Sequence, residues 1–218
     1  MNKTIGIFDL DGNLVDSMSV YTETYSGILF RRCGIPVKES SEYYLNSAGT
    51  PLDVQFRYIL EKNGKSVEEI QSMVKEFFDI VNQVDYSWYQ GAKKLIRELH
   101  RRNFMLFVTT GSQTSVTMKK LEKAGIADYF ELILGSGEIP KGPKHIKEFA
   151  KLAGLSVKEF SKQAFYCGDG TRDMEIAKEF SIYAIGVAQT VGKKELLKAG
   201  ANVAVDRIEE VIGLDILK

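Results

Sequence analysis

The chain has 218 residues, 44% of them hydrophobic and 27% charged, with 29 Lys+Arg balanced by 29 Asp+Glu. That balance argues against a nucleic-acid or membrane-surface partner; no apolar run reaches the roughly 18 residues of a spanning helix, and residues 1–20 lack a signal-peptide pattern. Cys33 and Cys167 lie far apart outside any C-x-x-C motif and read as reduced thiols of a cytoplasmic protein, whose length suits one large domain or two small ones.

Residues 4–17 read TIGIFDLDGNLVDS. Ile5, Ile7 and Phe8 make a short apolar run around Gly6, the length of one buried parallel strand. Asp9 and Asp11 stand two apart at its end, so on a strand they emerge on the same side. Two unit charges ~4 Å apart repel by about 4 kcal/mol at an effective dielectric near 20. Such a pair calls for a cation between them or a retained proton. Residues 18–33 then predict a helix, closed by Gly34, Ile35 and Pro36. The polar residues 37–51 read as a loop or a partly ordered connection. Leu52, Phe56, Ile59 and Leu60 recur at helical spacing up to Asn63 and Gly64. Ser66 and Glu69 form a capping-box pattern that opens a long amphipathic helix, striped by Val67, Ile70, Val74, Phe77, Phe78 and Val81. That stripe reads as ordinary core. No strand is expected between Asp16 and Gln90, so this stretch predicts an all-helical insert.

From Gly91 the pattern alternates. Ala92, Leu95, Ile96 and Leu99 predict a helix, and residues 105–108 a strand ending in Thr109, Thr110, Gly111 and Ser112. Residues 116–124 predict a helix stopped by Gly125. Residues 131–134 predict a strand leading into Gly135, Ser136 and Gly137. Ile146, Phe149, Ala150 and Ala153 stripe a helix preceded by Pro140, Lys141, Gly142 and Pro143. Ser156 and Glu159 make a second capping box. Residues 164–167 predict a buried strand running into Gly168, Asp169, Gly170, Thr171, Arg172 and Asp173. Strands at 183–187 and 203–205 complete the series. Alternation of this kind implies an α/β fold with a doubly wound parallel sheet, which binds ligands at the carboxyl ends of its strands.

Three of those strand ends carry polar clusters. Asp169 and Asp173 are four apart, so a helix starting near Gly170 brings both towards Asp9 and Asp11. Four acids in one small site need a hard cation, and Mg²⁺, which takes oxygen ligands and keeps exchangeable waters, is the natural one. Thr109 supplies a hydroxyl, the amides of Thr110 and Gly111 suit an anion, and Lys141 supplies the positive charge that a phosphoryl group requires.

The segments FDLDGNLVDS at 8–17, FVTTGS at 107–112, Lys141 in PKGP and YCGDGTRD at 166–173 resemble the four motifs of the haloacid dehalogenase superfamily, over essentially the whole chain. The resemblance implies a Rossmann-like core formed by residues 1–15 and 91–218, with residues 16–90 as an inserted helical cap that reads the substrate. It implies Asp9 as nucleophile and Asp11 as general acid/base. Thr109, Thr110 and Lys141 would hold the transferring phosphoryl group, with Lys144 a less favoured substitute for Lys141. Asp9, Asp11, Asp169 and Asp173 would surround Mg²⁺. Two positions depart from the pattern: Asn13 stands where the superfamily usually has Thr, and Gln90–Gly91 lacks the usual Pro. A carboxylate at Asp11 disfavours C–halogen and C–P cleavage. The expectation is a Mg²⁺-dependent phosphatase, phosphoglycolate-phosphatase-like, acting on a small phosphorylated metabolite through an aspartyl-phosphate. The alternative is a sugar-phosphate mutase with the same chemistry. A phospho-accepting receiver domain is about half this length and has no helical insert. The oligomeric state stays open.

Overall fold

The computed structural model describes residues 4–136 and 139–217. Its strands are β1 (Ile5–Phe8), β2 (Val15–Asp16), β3 (Ser87–Trp88), β4 (Met105–Thr109), β5 (Leu132–Leu134), β6 (Ala164–Gly168), β7 (Tyr183–Val187) and β8 (Val203–Val205). The α-helices are α1 (Met18–Cys33), α2 (Val37–Asn46), α3 (Leu52–Lys62), α4 (Ile70–Val81), α5 (Ala92–Arg101), α6 (Thr114–Lys123), α7 (Pro143–Leu152), α8 (Val157–Gln163), α9 (Thr171–Glu179) and α10 (Lys193–Ala199).

Six strands form one sheet in the order β5-β4-β1-β6-β7-β8, and every pairing in it is parallel. β1 lies in its interior, with Phe8 level with Val108 on one side and Cys167 on the other. All four β1 residues are buried, as a strand covered on both faces requires. Alternation along β1 divides the core in two. Phe8 packs with Leu95, Ile96 and Leu99 of α5 on one face, and Ile7 with Ile146 and Phe149 of α7 and Phe160 of α8 on the other. The carboxyl ends of β4, β1 and β6 are therefore neighbours, which brings together the polar clusters that follow them.

Helices α1–α4 lie between β2 and β3 and have their own apolar cluster, including Tyr25, Ile28, Phe56, Ile59, Phe77 and Val81. Tyr25 stacks on Phe56 with ring centroids 4.6 Å apart. Gly34, at φ 68°, closes α1 as expected.

Three local expectations are corrected. Residues 37–46 are not loop but helix α2, whose polar sequence reflects how little of it faces inward: Ser40 and Tyr44 are its buried residues. Ser40 Oγ donates to the Pro36 carbonyl at 3.0 Å, which makes its burial tolerable. Helix α4 starts at Ile70 rather than beside Ser66, because Ser66 Oγ accepts from the Glu68 amide at 3.3 Å in a turn that precedes the helix. A strand does occur before Gln90: β3 pairs antiparallel with β2, Val15 opposite Trp88, a two-residue ribbon too short to leave a periodicity. Gly137 lies outside the described residues. Among the described residues no helix is long and apolar enough to cross a membrane, and Cys33 and Cys167 are unbridged.

Candidate active site

Asp9 continues the line of β1 for one residue, its amide donating to the Cys167 carbonyl at 2.9 Å. The chain then turns sharply through Gly12, at φ 85°, where a Cβ would run into Asp169, Met18 and Thr190. Asn13 is buried under this turn. Its Nδ2 donates to the carbonyls of Asp9 and Cys167, each at 3.1 Å, so the amide side chain ties the end of β1 to the end of β6.

Asp169 follows β6 directly, and Asp173 sits in the first turn of α9. With Asp9 they offer carboxylate oxygens that all lie within 4.8 Å of one another, and all three residues are buried. Asp173 is braced by the Tyr166 hydroxyl at 3.0 Å and the Gly170 amide at 3.2 Å. Asp169 accepts from the Thr190 hydroxyl. Lys141 reaches in from the loop before α7, its Nζ 2.7 Å from Asp173 and 3.0 Å from Asp9.

One cation among three carboxylates leaves the group negative. Burial, aided by Asp173 and Asp11 and opposed by Lys141, pushes Asp9 up to about 7. Burial and the neighbouring Asp9 and Asp173 push Asp169 well above the usual carboxylate range. Burial pulls Lys141 down, but Asp173 and Asp9 outweigh it and hold the ammonium protonated. Asp9 Oδ1 is buried and faces Lys141 Nζ at 3.0 Å. An all-oxygen set of buried, mutually repelling carboxylates fits a hard divalent cation such as Mg²⁺.

Asp11, expected in the same metal set, stands apart. Its Oδ1 accepts from Ser17 Oγ at 2.9 Å, Tyr21 OH at 3.0 Å and Lys120 Nζ at 2.6 Å. Its Oδ2 accepts from Ser112 Oγ at 2.6 Å and Thr110 Oγ1 at 3.3 Å. The strand has already ended there, with Asp11 bridging to Val15, so strict alternation no longer directs its side chain towards Asp9. Burial raises the Asp11 pKa, but Lys120 and the hydroxyls of Ser112 and Ser17 outweigh it, leaving Asp11 below its ordinary value and ionised.

Thr109 is also placed differently from the expectation. Its hydroxyl meets Nδ1 of buried His145 at 2.8 Å, and Nε2 of that ring meets the Ile139 carbonyl at 3.0 Å. An Nε2–H donor leaves Nδ1 to accept from Thr109. Thr109 thus ties the end of β4 to the loop that carries Lys141, while Thr110, Gly111 and Ser112 line the pocket. The Thr110 amide is committed to the Leu134 carbonyl at 3.0 Å. Lys144 is not among the pocket residues. Lys120, Tyr21, Thr190 and His145 were not legible as site residues. Each acts through a contact with a residue distant in sequence, for which no local pattern exists.

The pocket lies between the carboxyl edge of the sheet and the helical layer. Asp9, Asp11, Thr110, Lys141, Asp169 and Asp173 line it from the sheet side, and Tyr21, Tyr44, Leu52, Phe77 and Phe78 from the helices.

A family model described as haloacid dehalogenase-like hydrolase matches residues 6–187. The chain is 29% identical to "Probable phosphatase IndB" of Dickeya dadantii, over 97% of this chain and 93% of that protein. It is 24% identical to a phosphoglycolate phosphatase of Vibrio cholerae, over 94% of this chain and 92% of that one. In fold it is similar to a haloacid dehalogenase-like hydrolase of Streptococcus pneumoniae, with a TM-score of 0.77, 22% identity and 97% of each chain covered.

Proposed function

The chain belongs to the haloacid dehalogenase-like hydrolase family, and from that premise we propose that it is a Mg²⁺-dependent phosphatase that hydrolyses a small phosphomonoester through an aspartyl-phosphate. Its motifs are of the phosphoglycolate-phosphatase-like kind, and its relatives include proteins named as phosphatases. One observation carries the reading. Three buried carboxylates, Asp9, Asp169 and Asp173, converge within 4.8 Å at the floor of a pocket, with Lys141 held against two of them.

In this reading residues 1–15 and 91–218 form the catalytic core, and residues 16–90 the cap that closes over the leaving group. An Asp9 oxygen attacks phosphorus, and the bond from phosphorus to the leaving oxygen breaks as the aspartyl-phosphate forms. Asp11, which takes up a proton as the phosphate dianion enters beside it, gives that proton to the leaving oxygen, then takes one from the water that attacks phosphorus in the second step. The second step restores the Asp9 carboxylate and releases inorganic phosphate. Lys141, beside Thr110 and Gly111 in the pocket wall, holds the phosphoryl oxygens, while Thr109, bonded to His145, fixes the loop from which Lys141 projects. Oxygens of Asp9, Asp169 and Asp173 would hold Mg²⁺, whose charge would offset the repulsion between Asp9 and the phosphate dianion.

The same core serves sugar-phosphate mutases, which need a second cationic grip on a hexose bisphosphate. Residues 48–53, AGTPLD, supply none, which favours hydrolysis. Incubation with Mg²⁺, glucose 1-phosphate and a trace of its bisphosphate tests the choice. Free phosphate is expected from small phosphomonoesters, without interconversion of hexose 1- and 6-phosphates. Rapid glucose 6-phosphate formation without free phosphate contradicts it.

A further inference from the structure

The wall of the pocket that faces the leaving group comes from the helical layer, and its chemistry is one-sided. Met18, Leu52, Phe77 and Phe78 present apolar surface, with the rings of Tyr21 and Tyr44 beside them. The Tyr21 hydroxyl is committed, donating to Asp11 at 3.0 Å and accepting from Lys120 at 2.8 Å. Gln55 also lines the pocket, but its amide is used at both ends. Nε2 donates to the Thr50 carbonyl at 2.7 Å, and Oε1 accepts from Ser47 Oγ at 3.2 Å.

Among the described residues lining the pocket, Lys141 is the one cation, and it is bound to Asp9 and Asp173. Lys120, just behind, is spent on Asp11. Arg172, which lies against Gly49 at the pocket's edge, pairs with the exposed Glu175, and Arg57 pairs with Glu61; neither arginine lines the pocket. A carboxylate on the leaving group would lose its water against Phe and Leu side chains and meet no unpaired cation among the described residues that line the pocket. Buried unpaired charge is among the costliest arrangements a site can adopt. An aromatic or aliphatic group meets the opposite situation, because its own apolar surface leaves water too.

From this we infer that the leaving group of the substrate bears no second negative charge and presents an apolar face to Leu52, Phe77 and Phe78. The inference rests on the phosphatase reading and narrows it: the substrate is the phosphate ester of a neutral, largely apolar alcohol, not of a hydroxy acid.

The test compares benzyl phosphate, 4-carboxybenzyl phosphate and 2-phosphoglycolate, with released phosphate measured in the presence of Mg²⁺. The first two differ by one carboxylate remote from the bond that breaks. kcat/KM for benzyl phosphate is expected to exceed that for either acid at least tenfold. Leu52→Arg, which places a cation on the apolar wall, is expected to narrow the gap between the benzyl esters. Phe78→Lys serves the same purpose if the first variant melts early. Equal or preferred turnover of either acid by the wild type overturns the inference while leaving the phosphatase reading intact. Phosphate release from none of the three by a folded protein overturns the phosphatase reading, and this inference with it.

Discussion

At Asp11, donors from three separate stretches of chain converge on one carboxylate: Ser17 and Tyr21, Thr110 and Ser112, and Lys120. The Lys120 ion pair is mostly buried, so removing the cation strands a desolvated anion. Lys120→Met is expected to cost about 3 kcal/mol of stability, read as a lower denaturant midpoint at unchanged slope; a midpoint within error of wild type contradicts the pairing. Asp9 has the opposite problem, too much negative charge nearby. Its pKa of about 7 in the metal-free protein exceeds its unfolded value of 3.8. The native state therefore binds the proton more tightly, and the stability this contributes is present at low pH and lost as pH rises from about 4 to 7. The slope approaches ~1.4 kcal/mol per pH unit for one proton. Thermal melts in chelator should fall from pH 5 to pH 7. At pH 7.5, Mg²⁺ at about 100 times its dissociation constant should restore roughly 2.7 kcal/mol, and less in Asp169→Ala. Flat chelator melts with no response to Mg²⁺ count against a metal among these carboxylates.

Among the elements, those with a strong local signal formed where the sequence placed them. α8 opens at Ser156 with the reciprocal bonds of a capping box: Ser156 Oγ accepts from the Glu159 amide at 3.3 Å, and the Glu159 carboxylate accepts from the Ser156 amide at 3.0 Å. Ser156→Ala is expected to destabilise by about 1 kcal/mol, measured by chemical denaturation; a neutral result shows the cap to be redundant with the packing of Phe160. The same pattern at Ser66 did not start a helix, because Ser66 closes a local turn with Glu68 and α4 begins at Ile70. Pattern alone does not separate those outcomes. α2 was unreadable for a different reason. Its inward face is Ser40 and Tyr44, and Tyr44 earns its place only by packing near Tyr25 and Phe77, residues far off in sequence.

On the scale of the whole molecule, the fold class and the convergence of Asp9, Lys141, Asp169 and Asp173 were legible because a parallel sheet places strand ends side by side. Runs of apolar residues ending in acids are therefore enough to locate a site. What stayed hidden were directions of side chains beyond the strand ends. Asp11 turns to Lys120 instead of joining the other acids, and Thr109 turns to His145 while Thr110 lines the pocket. These choices depend on partners that only the folded chain brings near. The apolar helical wall has the same origin, since the residues that compose it come from α1 to α4.

The proposed chemistry turns on the Asp9 carboxylate as the group that attacks phosphorus. The direct measurement is phosphate release from benzyl phosphate or another small phosphomonoester, with Mg²⁺, by wild type and by Asp9→Asn purified free of host phosphatases. The amide keeps the shape of the side chain but cannot attack phosphorus. A folded Asp9→Asn protein whose turnover has dropped by several orders of magnitude is the expected result; retention of more than a few per cent of wild-type activity would contradict it.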